Sequence, residues 1–535
     1  MTTGESDAER RSFTSRTPVN HNPDTVAYRR GFVTRHQVSG WRFVMRRIAA
    51  GVALHDTRML VEPLRTQSRA VLMGALILIT ALVGCLVFTL IRPNTSAANN
   101  AVLADRSTAA LYVRVDDRLH PVLNLTSARL IVGRPVNPTT VKSSELDQFP
   151  RGNLLGIPGA PERMVQNTTK DADWTVCDAA SGPSPGVTLI AGPPDSSGAR
   201  ADRLGRHDAV LAEDPTGVWL LWDGKRSRID LADRAVTGAL GFGIDVPAPR
   251  PIAAGLFNAI PEAAALTVPA VPGAGEPPQF DLPVTAPVGS VVVAHTLTEK
   301  SADAVQYYAV LSDGLQPISS VLAALLRNAN SYGFDQPPQL GADQVARLPV
   351  SRALDTGRYP EQRINLVDVV RNPVTCAFWS KPVASASSSL TLLSGSALPV
   401  PDRIHPETLV GAGAGGVATR VALAPGTGYF VQAVGQDDTS TAAGSLFWIA
   451  DTGVRYGIDN EEHPAAERSK TVDALGLHPP PIAIPWSMLV QFAPGPTLSR
   501  ADALLAHDGL APDVRPGRAT STQAGQSSGS GAVSR

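Results

Sequence analysis

The longest apolar run in the chain covers residues 70–91, with the sequence AVLMGALILITALVGCLVFTLI. Its 22 residues carry no formal charge, and Arg69 and Arg92 flank it. At about 1.5 Å per residue, a helix of this length spans roughly 33 Å, enough to cross a hydrocarbon core of about 30 Å. The 69 residues before the run are too many for a cleaved signal peptide. The pattern predicts one membrane-spanning helix, and a buried core helix is the alternative.

A second pattern lies just before this run, where apolar residues recur at spacings of three and four and therefore share one helical face. They are Val38, Trp41, Met45, Ile48 and Val52. Arginines flank the stripe, which predicts a basic amphipathic helix within residues 34–69, after a flexible segment 1–33. Such a helix can lie on anionic lipid or dock on a protein partner, and both readings stay open. The candidate contact residues are Val38, Trp41, Arg42, Met45, Arg46 and Ile48.

The two sides of the predicted span differ in charge. Residues 1–69 contain 12 Arg, no Lys and six acidic residues, whereas 35 basic and 42 acidic residues follow the span. Basic residues close to a span stay in the cytoplasm. The sequence therefore predicts a cytoplasmic N-terminus and an extracytoplasmic C-terminal region at the inner membrane.

The cysteines fit this topology. Cys85 lies in the apolar run, where a thiol behaves as a small apolar group. Cys177 and Cys376 are the pair available in the exported, oxidising region, and we expect a disulfide between them, with two buried free thiols as the alternative. Trp174 and Trp379 lie close to these cysteines and are expected to pack in the same core.

The exported region contains an internal duplication. Tyr112 to Ile131 resembles Tyr308 to Arg327 at an offset of 196, and the two exported cysteines are 199 residues apart. Val218 to Ile229 likewise resembles Leu446 to Ile458. Each of these segments is typical of two strands around a turn, and a helix is expected after the second strand. The pattern predicts an α+β region of four small strand-turn-strand-helix modules with pseudo-twofold symmetry, and chance similarity among Pro-rich segments is the alternative.

The duplication also predicts domain boundaries. The first half covers residues 92–265, the second half covers residues 300–510, and residues 266–299 form the linker between them. If the halves pack symmetrically, the disulfide joins equivalent positions and lies near the pseudo-twofold axis. Residues 511–535 are rich in Ser, Gly and Gln, which is typical of a disordered tail.

The sequence contains no convincing catalytic motif. There is no G-x-x-x-x-G-K-[ST] phosphate loop, no H-E-x-x-H and no histidine spacing typical of a metal site. Gly411 to Gly416 matches G-x-G-x-x-G but lies in a Gly-rich loop of the exported region. No Ser-His-Asp triad is indicated either. These observations favour a scaffold over an enzyme, with no catalytic residue, no metal ligand and no nucleic-acid partner.

Residues Thr34 to Met59, TRHQVSGWRFVMRRIAAGVALHDTRM, resemble the N-terminal signature of the EccB family of mycobacterial type VII (ESX) secretion systems. The likeness continues through Gly156 to Pro161 and reaches Gly495 to Ser499, which covers nearly the whole chain. The preceding SRTPVNHNPDTVAYRRGFV further resembles the EccB of the ESX system linked to iron and zinc acquisition.

This resemblance implies a fold and a function. The fold would be a cytoplasmic helix, one span, and an elongated periplasmic region of four repeats around a disulfide-tied central domain, with repeats similar to a phage lysin's cell-wall-binding subunit. The protein would scaffold the secretion complex in the inner membrane, contact EccC, EccD and EccE, and form a homodimer through the periplasmic region. A mycosin protease is a further candidate partner. Two alternatives remain, a peptidoglycan-binding anchor and an ATPase, since the family sometimes carries that label; ATP is a cofactor only by that label.

Overall fold

The computed structural model describes residues 34–55, 63–91, 100–182, 185–243, 246–295, 305–437, 440, 444–459 and 470–509. The chain divides into an N-terminal unit, residues 1–94, and a C-terminal unit, residues 95–535. The predicted flexible segment 1–33 and the predicted tail 511–535 lie outside the described residues.

The N-terminal unit contains two helices, α1 (Arg35–Leu54) and α2 (Pro63–Ile91). Helix α1 lies within the segment 34–69 for which the sequence predicts the amphipathic helix, and α2 contains the whole apolar run. Helix α2 begins seven residues before that run, because Pro63 is well suited to the first turn of a helix, where its missing N–H costs nothing.

The C-terminal unit alternates short strands with short helices. Its strands are β1 (Val102–Asp105), β2 (Leu111–Val115), β3 (Arg118–Val122), β4 (Thr139–Val141), β5 (Ala172–Ala179), β6 (Gly186–Ala191), β7 (Asp202–Arg203), β8 (Asp208–Asp214), β9 (Gly217–Trp222), β10 (Lys225–Arg228), β11 (Arg250–Pro251), β12 (Glu262–Ala263), β13 (Val291–His295), β14 (Val305–Val310), β15 (Leu315–Ile318), β16 (Gln339–Leu340), β17 (Asn365–Leu366), β18 (Val374–Lys381), β19 (Ser389–Gly395), β20 (Glu407–Thr408), β21 (Arg420–Ala422), β22 (Tyr429–Val434), β23 (Leu446–Ile449), β24 (Val454–Ile458), β25 (Ile482–Pro485) and β26 (Ala493–Pro494). Its helices are α3 (Leu125–Val132), α4 (Ser143–Leu146), α5 (Arg234–Leu240), α6 (Ala254–Ala259), α7 (Ser320–Ala329), α8 (Ala342–Val345), α9 (Lys470–Leu475), α10 (Trp486–Leu489) and α11 (Arg500–Ala503), with a 3-10 turn at Thr356–Arg358.

Four small sheets form the predicted modules. Module 1 has the strand order β3-β2-β1-β4, module 2 β11-β8-β9-β10-β12 with β17 beside β8, module 3 β15-β14-β13-β16, and module 4 β25-β22-β23-β24-β26. In each module three consecutive strands pair antiparallel, and a helix follows the third strand: α3, α5, α7 or α9. The duplication predicted from sequence is therefore present as repeated structure.

Local sequence explains where the module helices begin. The side chain of Asn124 accepts a hydrogen bond from the Ser127 N–H at 2.8 Å, and Ser319 accepts one from the Leu322 N–H at 3.1 Å. Both residues satisfy amide groups that the first turn of a helix leaves unpaired. These two caps occupy equivalent positions in modules 1 and 3, since the offset between them is close to that of the duplicated segments.

The modules pack in pairs that cross the two halves of the chain. Helix α5 of module 2 packs on α7 of module 3, and one buried cluster contains side chains from both helices, including Leu240 and Leu322. Helix α3 of module 1 packs on α9 of module 4 in a second cluster, which includes Leu130 and Leu475. A pseudo-twofold axis that exchanges the halves would convert one pair into the other.

A seven-stranded central sheet joins the halves, in the order β20-β21-β6-β5-β18-β19-β7. Strands β5 and β18 pair antiparallel with Cys177 opposite Cys376, so a local twofold axis through this residue pair exchanges the two strands. Strand β7 of the first half pairs with β19 of the second-half hairpin β18–β19, and β21 of the second half pairs with β6 of the first-half hairpin β5–β6. The symmetry is imperfect at these outer strands, since β7 is antiparallel to its neighbour and β21 is parallel.

Residues 266–295, which belong to the predicted linker 266–299, contain a strand and make tertiary contacts. Strand β13, Val291–His295, pairs with β14 and β16 as a central strand of module 3. Leu266 is buried, and the hydroxyl of Tyr359 donates to the Thr267 carbonyl at 2.8 Å. The third sheet therefore begins nine residues before the predicted start of the second half.

Candidate functional site

Helix α1 has a well-defined N-terminus. Thr34 and Gln37 form a reciprocal capping box, in which the Thr34 N–H donates to the Gln37 side-chain oxygen at 3.0 Å and the Gln37 N–H donates to Thr34 Oγ1 at 3.4 Å. The helix ends at His55, which adopts the left-handed conformation with φ 51°. These local signals define the two ends of the helix.

The predicted contact residues of α1 share one face and are exposed. No residue of the helix is buried, and the side chain of Trp41 is 66% exposed. The other exposed side chains of the face are Val38, Met45, Ile48 and Val52, with Arg42 and Arg46 beside them. These side chains form an exposed apolar surface on a helix that carries no acidic residue.

Helix α2 provides the candidate membrane anchor. Its apolar part, Gln67–Phe88, is long and apolar enough to cross a membrane, and none of it is buried within the protein. The hydroxyl of Thr80 donates to the Leu76 carbonyl at 2.7 Å, which satisfies this polar group inside the helix. Cys85 is exposed on the same helix. A buried core helix is therefore not what the structure shows.

The predicted disulfide lies in the central sheet of the C-terminal unit. Cys177 and Cys376 are bonded, both are fully buried, and their Cα atoms are 4.0 Å apart. Trp174 and Trp379 lie opposite each other three residues away, and each is 2% exposed, as the sequence predicts. The indole of Trp174 donates to the Ala483 carbonyl at 2.8 Å and so connects the central sheet to module 4.

A buried ion pair beside the disulfide was not anticipated from the sequence. Arg250, on the edge strand of module 2, donates from Nη2 to Asp178 at 2.9 Å and from Nη1 to the Thr375 hydroxyl at 2.6 Å. The side chains of Arg250 and Asp178 are 3% and 7% exposed. Burial lowers the pKa of Arg250, and the Asp178 charge opposes that effect. The guanidinium thus connects module 2 to both central strands, β5 through Asp178 and β18 through Thr375.

A second unpredicted feature is an arginine-aromatic cluster that occurs twice. In module 2, Arg226 lies over the ring of Phe257 at 4.0 Å, and Phe257 packs edge-on against Trp219. In module 4, Arg455 lies over the ring of Trp486 at 5.8 Å, and Trp486 packs against Phe447. The two arginines are 229 residues apart, which is close to the offset of the second duplicated segment, so the sequence contained a signal for the pair.

An open cleft of about 700 Å³ lies between modules 2 and 3. Charges of both signs line it, from Arg206, Asp223, Lys225 and Glu361. The Lys225 ammonium lies 3.9 Å from the ring centroid of Trp222, so this aromatic face is already occupied. The cleft therefore lacks the uniformly positive lining expected of a nucleotide phosphate site.

Metal and nucleotide chemistry find no support in the described residues of the C-terminal unit. Among the residues that the structure describes, no group of three or more His, Cys, Asp or Glu side chains could hold a metal ion. The G-x-G-x-x-G run at Gly411 to Gly416 lies between β20 and β21, and no helix follows it. A dinucleotide fingerprint needs the N-terminus of a helix at that position.

Comparison with known proteins identifies the family. The model of the type VII secretion system ESX-1 transport transmembrane domain B family matches residues 30–512. The chain is 70% identical to the ESX-3 secretion system ATPase EccB3 of Mycobacterium tuberculosis H37Rv, over 97% of this chain and 98% of the relative. It is 66% identical to the protein of the same name from Mycolicibacterium smegmatis, over 94% and 96% of the two chains.

Solved structures give the same result. An EccB3 dimer from the ESX-3 core complex is 61% identical, with a TM-score of 0.68, and the match covers 76% of this chain and all of that one. A chain of an intact ESX-5 inner membrane complex is 36% identical, with a TM-score of 0.70, over 92% and 99% of the two chains. The ESX-3 relatives agree with the predicted subtype, which is the iron-acquisition-linked system. The chain belongs to the EccB family of type VII secretion proteins.

Proposed function

We propose that this chain is a membrane-anchored structural core subunit of a type VII secretion complex. The observation that carries the proposal is the exposure of two apolar helical surfaces, on α1 and on Gln67–Phe88 of α2, in a chain that also contains a large, well-packed C-terminal unit. Exposed apolar surface of this extent requires a membrane around α2 and a partner or lipid against α1. Helix α1 then lies in the cytoplasm and the C-terminal unit in the periplasm, as the arginine distribution predicts.

The partners follow from the family. Relatives of this chain occur in solved ESX inner membrane assemblies, and one relative is a dimer. We therefore propose that this chain binds EccC, EccD and EccE of its own complex and forms a homodimer in the periplasm, with a mycosin protease as a further contact. The exposed face of α1 around Trp41 and Met45 is the proposed contact on the cytoplasmic side.

The proposed role is structural, although curated relatives carry "ATPase" in their names. The sequence lacks a phosphate loop with its lysine and hydroxyl, and the polar groups that the structure buries near the disulfide serve to join modules. Turnover of ATP by the purified chain, abolished by a point substitution and retained through successive columns, would contradict this part of the proposal.

Two variants of α1 test the cytoplasmic contact. We expect Trp41→Ala combined with Met45→Ala to lower recovery of the partner subunits at least tenfold, because it removes the center of the exposed face. Phe43→Ala is the matched control, since Phe43 is 42% exposed on the opposite side of the same helix. Tagged variants replace the native chain, and secretion and complex assembly are measured together. Equal recovery from the double variant and the control would refute the contact.

A further inference from the structure

Modules 1 and 3 have the same strand register, so their positions can be matched one by one. Arg114 pairs with Leu119 in module 1, and Val310 pairs with Leu315 in module 3, at the offset of 196 that relates the duplicated segments. Arg114 and Val310 are therefore equivalent positions on the second strand of each module.

Isolated bridges match a second pair of positions. Arg151 bridges Leu119 in module 1, and Val350 bridges Leu315 in module 3. Module 1 therefore carries two arginines where module 3 carries two valines.

The outer face of module 3 is covered by a segment of the same chain, residues 279–289, which we call the strap. Two hydrogen bonds hold it, from the Gln279 N–H to the Ser312 carbonyl at 2.9 Å and from the Gly289 N–H to the Val310 carbonyl at 2.8 Å. Val310 is completely buried beneath it. Apolar side chains at alternate positions of the strap pack in one cluster with the sheet: Phe280, Leu282, Val284 and Ala286.

The corresponding face of module 1 has no such cover among the described residues. Arg114 lies over the ring of Phe149 at 5.1 Å, and Arg151 lies over the ring of Tyr112 at 4.7 Å. Three of these side chains are half-buried, and Arg151 is exposed. We call the four residues the arginine face. The apolar cluster beneath it contains residues of module 1 alone: Leu103, Leu119, Val141 and Leu146, with Tyr112 and Phe149.

The sequence before module 1 does not supply an equivalent strap. Residues 92–99, RPNTSAAN, contain no large apolar side chain and no carboxylate. Within the module, Arg151 pairs with Asp147 at 3.0 Å, but the carboxylate is 71% exposed. Such a surface pair is weak and exchanges readily with another carboxylate.

We propose that the arginine face of module 1 binds an extended acidic segment of another subunit of the secretion complex, in the place that the strap occupies in module 3. The inference rests on the complex membership given under the proposed function, and it adds a surface and the chemistry of the partner. The strap shows that this face of a module accepts an extended polypeptide. The change from two valines to two arginines then favours carboxylates over apolar side chains at the matching positions of the occupant.

The geometry of the arginines suits this occupant. A guanidinium that stacks on an aromatic ring keeps the N–H groups at its edge available for bidentate hydrogen bonds to a carboxylate. A lipid phosphate is the other anion that a membrane protein meets. A polypeptide fits the face better, because the rings of Tyr112 and Phe149 belong to it, and Tyr and Arg are enriched at the energetic centers of protein interfaces.

The test places the photoreactive residue p-benzoylphenylalanine at position 112 of the full chain in its native membrane. We expect irradiation to join this position to a segment of another subunit that is rich in Asp or Glu, identified by mass spectrometry of the linked peptides. The same photoreactive residue in place of Tyr308 is the matched control, because Tyr308 packs in the cluster that contains the strap. We expect it to link within the chain, to residues 279–289.

Charge is tested separately. Arg114→Val combined with Arg151→Val gives module 1 the side chains of module 3, and we expect the yield of the intermolecular adduct to fall at least tenfold. Arg151→Glu, at an exposed position, should lower the yield in the same way without a risk to folding. Arg118→Val is the matched control, because Arg118 is exposed and precedes Leu119 in β3, so it belongs to the other face of the sheet. An intact disulfide verifies that each variant is folded.

Several results would overturn the inference. They are an adduct with lipid, an adduct with a second copy of this chain, an adduct with a segment that lacks carboxylates, and the absence of an intermolecular adduct in an intact complex. Equal yields from the arginine variants and Arg118→Val would also overturn it. Recovery of the chain without other subunits would refute the proposed function and this inference together, whereas a failure confined to the adduct leaves the proposed function standing.

Discussion

Replacing Arg250 by methionine should destabilise the central sheet of the C-terminal unit around β5 and β18. The substitution keeps much of the side-chain volume but removes the guanidinium that bonds Asp178 and the Thr375 hydroxyl. Asp178 would remain buried with one hydrogen bond, from the Ala253 N–H at 3.0 Å. The remaining carboxylate would then lack a cationic partner beside the disulfide.

The expected cost follows from the burial of the pair. Removing one partner of a buried ion pair lowers the stability of a protein by about 3–5 kcal/mol, because the remaining buried charge is uncompensated. The hydrogen bond from the Ala253 N–H to Asp178 reduces this loss, so we expect Arg250→Met to lower stability by about 3 kcal/mol, near the lower end of that range. At about 1.36 kcal/mol per factor of ten, this corresponds to a roughly hundredfold increase in local opening. The double variant Arg250→Met with Asp178→Leu should recover most of the loss, because no charge remains buried.

Hydrogen exchange measured by mass spectrometry on the full chain is the assay, since it reports local opening in a protein with several modules. Peptides from β5 and β18 should exchange faster in Arg250→Met and close to the original rate in the double variant. Arg371→Met is the matched control, because Arg371 pairs with Asp368 at 3.3 Å but its side chain is 86% exposed. Exposed pairs contribute less than about 1 kcal/mol.

Unchanged exchange of β5 and β18 in Arg250→Met would refute this reasoning. It would mean that water or a rearranged side chain replaces the guanidinium at little cost. An equal effect of Arg371→Met would also refute it, because burial would then not decide the energy of the pair.

Three further predictions concern single features of the C-terminal unit. Replacing Cys177 and Cys376 by alanine should lower the free energy of unfolding by about 2–5 kcal/mol, measured by urea titration; equal midpoints for the variant and the original chain would contradict it. Gly224→Ala should cost roughly 2 kcal/mol or more by the same titration, because φ is +71° and the new Cβ would overlap a carbonyl oxygen of β19; an unchanged midpoint would contradict it. Hydrogen bonds from the Ser107 backbone and hydroxyl hold the pKa of Asp105 below its usual range, so its stabilising effect is present above about pH 4 and is lost as pH falls through the folded-state pKa. Acid titration should therefore destabilise the original chain more steeply than Asp105→Asn, and parallel titration curves would disprove the role of this carboxylate.

Much of the fold could be predicted from the sequence because it is encoded locally or by repetition. The apolar run and the α1 stripe are periodic patterns within single helices. The matched offsets of the duplicated segments predicted the four modules, and the presence of Cys177 and Cys376 in the exported, oxidising region predicted the disulfide. Strand β13 was missed because VVVAH is a short apolar run next to a Pro- and Gly-rich segment, and only its pairing with β14 makes it a central strand.

The functional surfaces were less accessible from sequence. Arg250 and Asp178 are 72 residues apart, and no local pattern indicates that an arginine on an edge strand will reach the disulfide. Trp486 resembles any other core aromatic in the sequence, and its exposure is visible only once module 4 is folded. The α1 residues were identified as a face from their spacing, and their role as a protein contact stays a prediction.

Affinity purification of the tagged chain from its native membrane in mild detergent, followed by mass spectrometry of the co-eluting proteins, tests the structural role most directly. We expect recovery of an EccC-like ATPase together with EccD-like and EccE-like membrane proteins in constant ratio to this chain. Recovery of this chain alone, from membranes in which those neighbours form an intact complex, would contradict it.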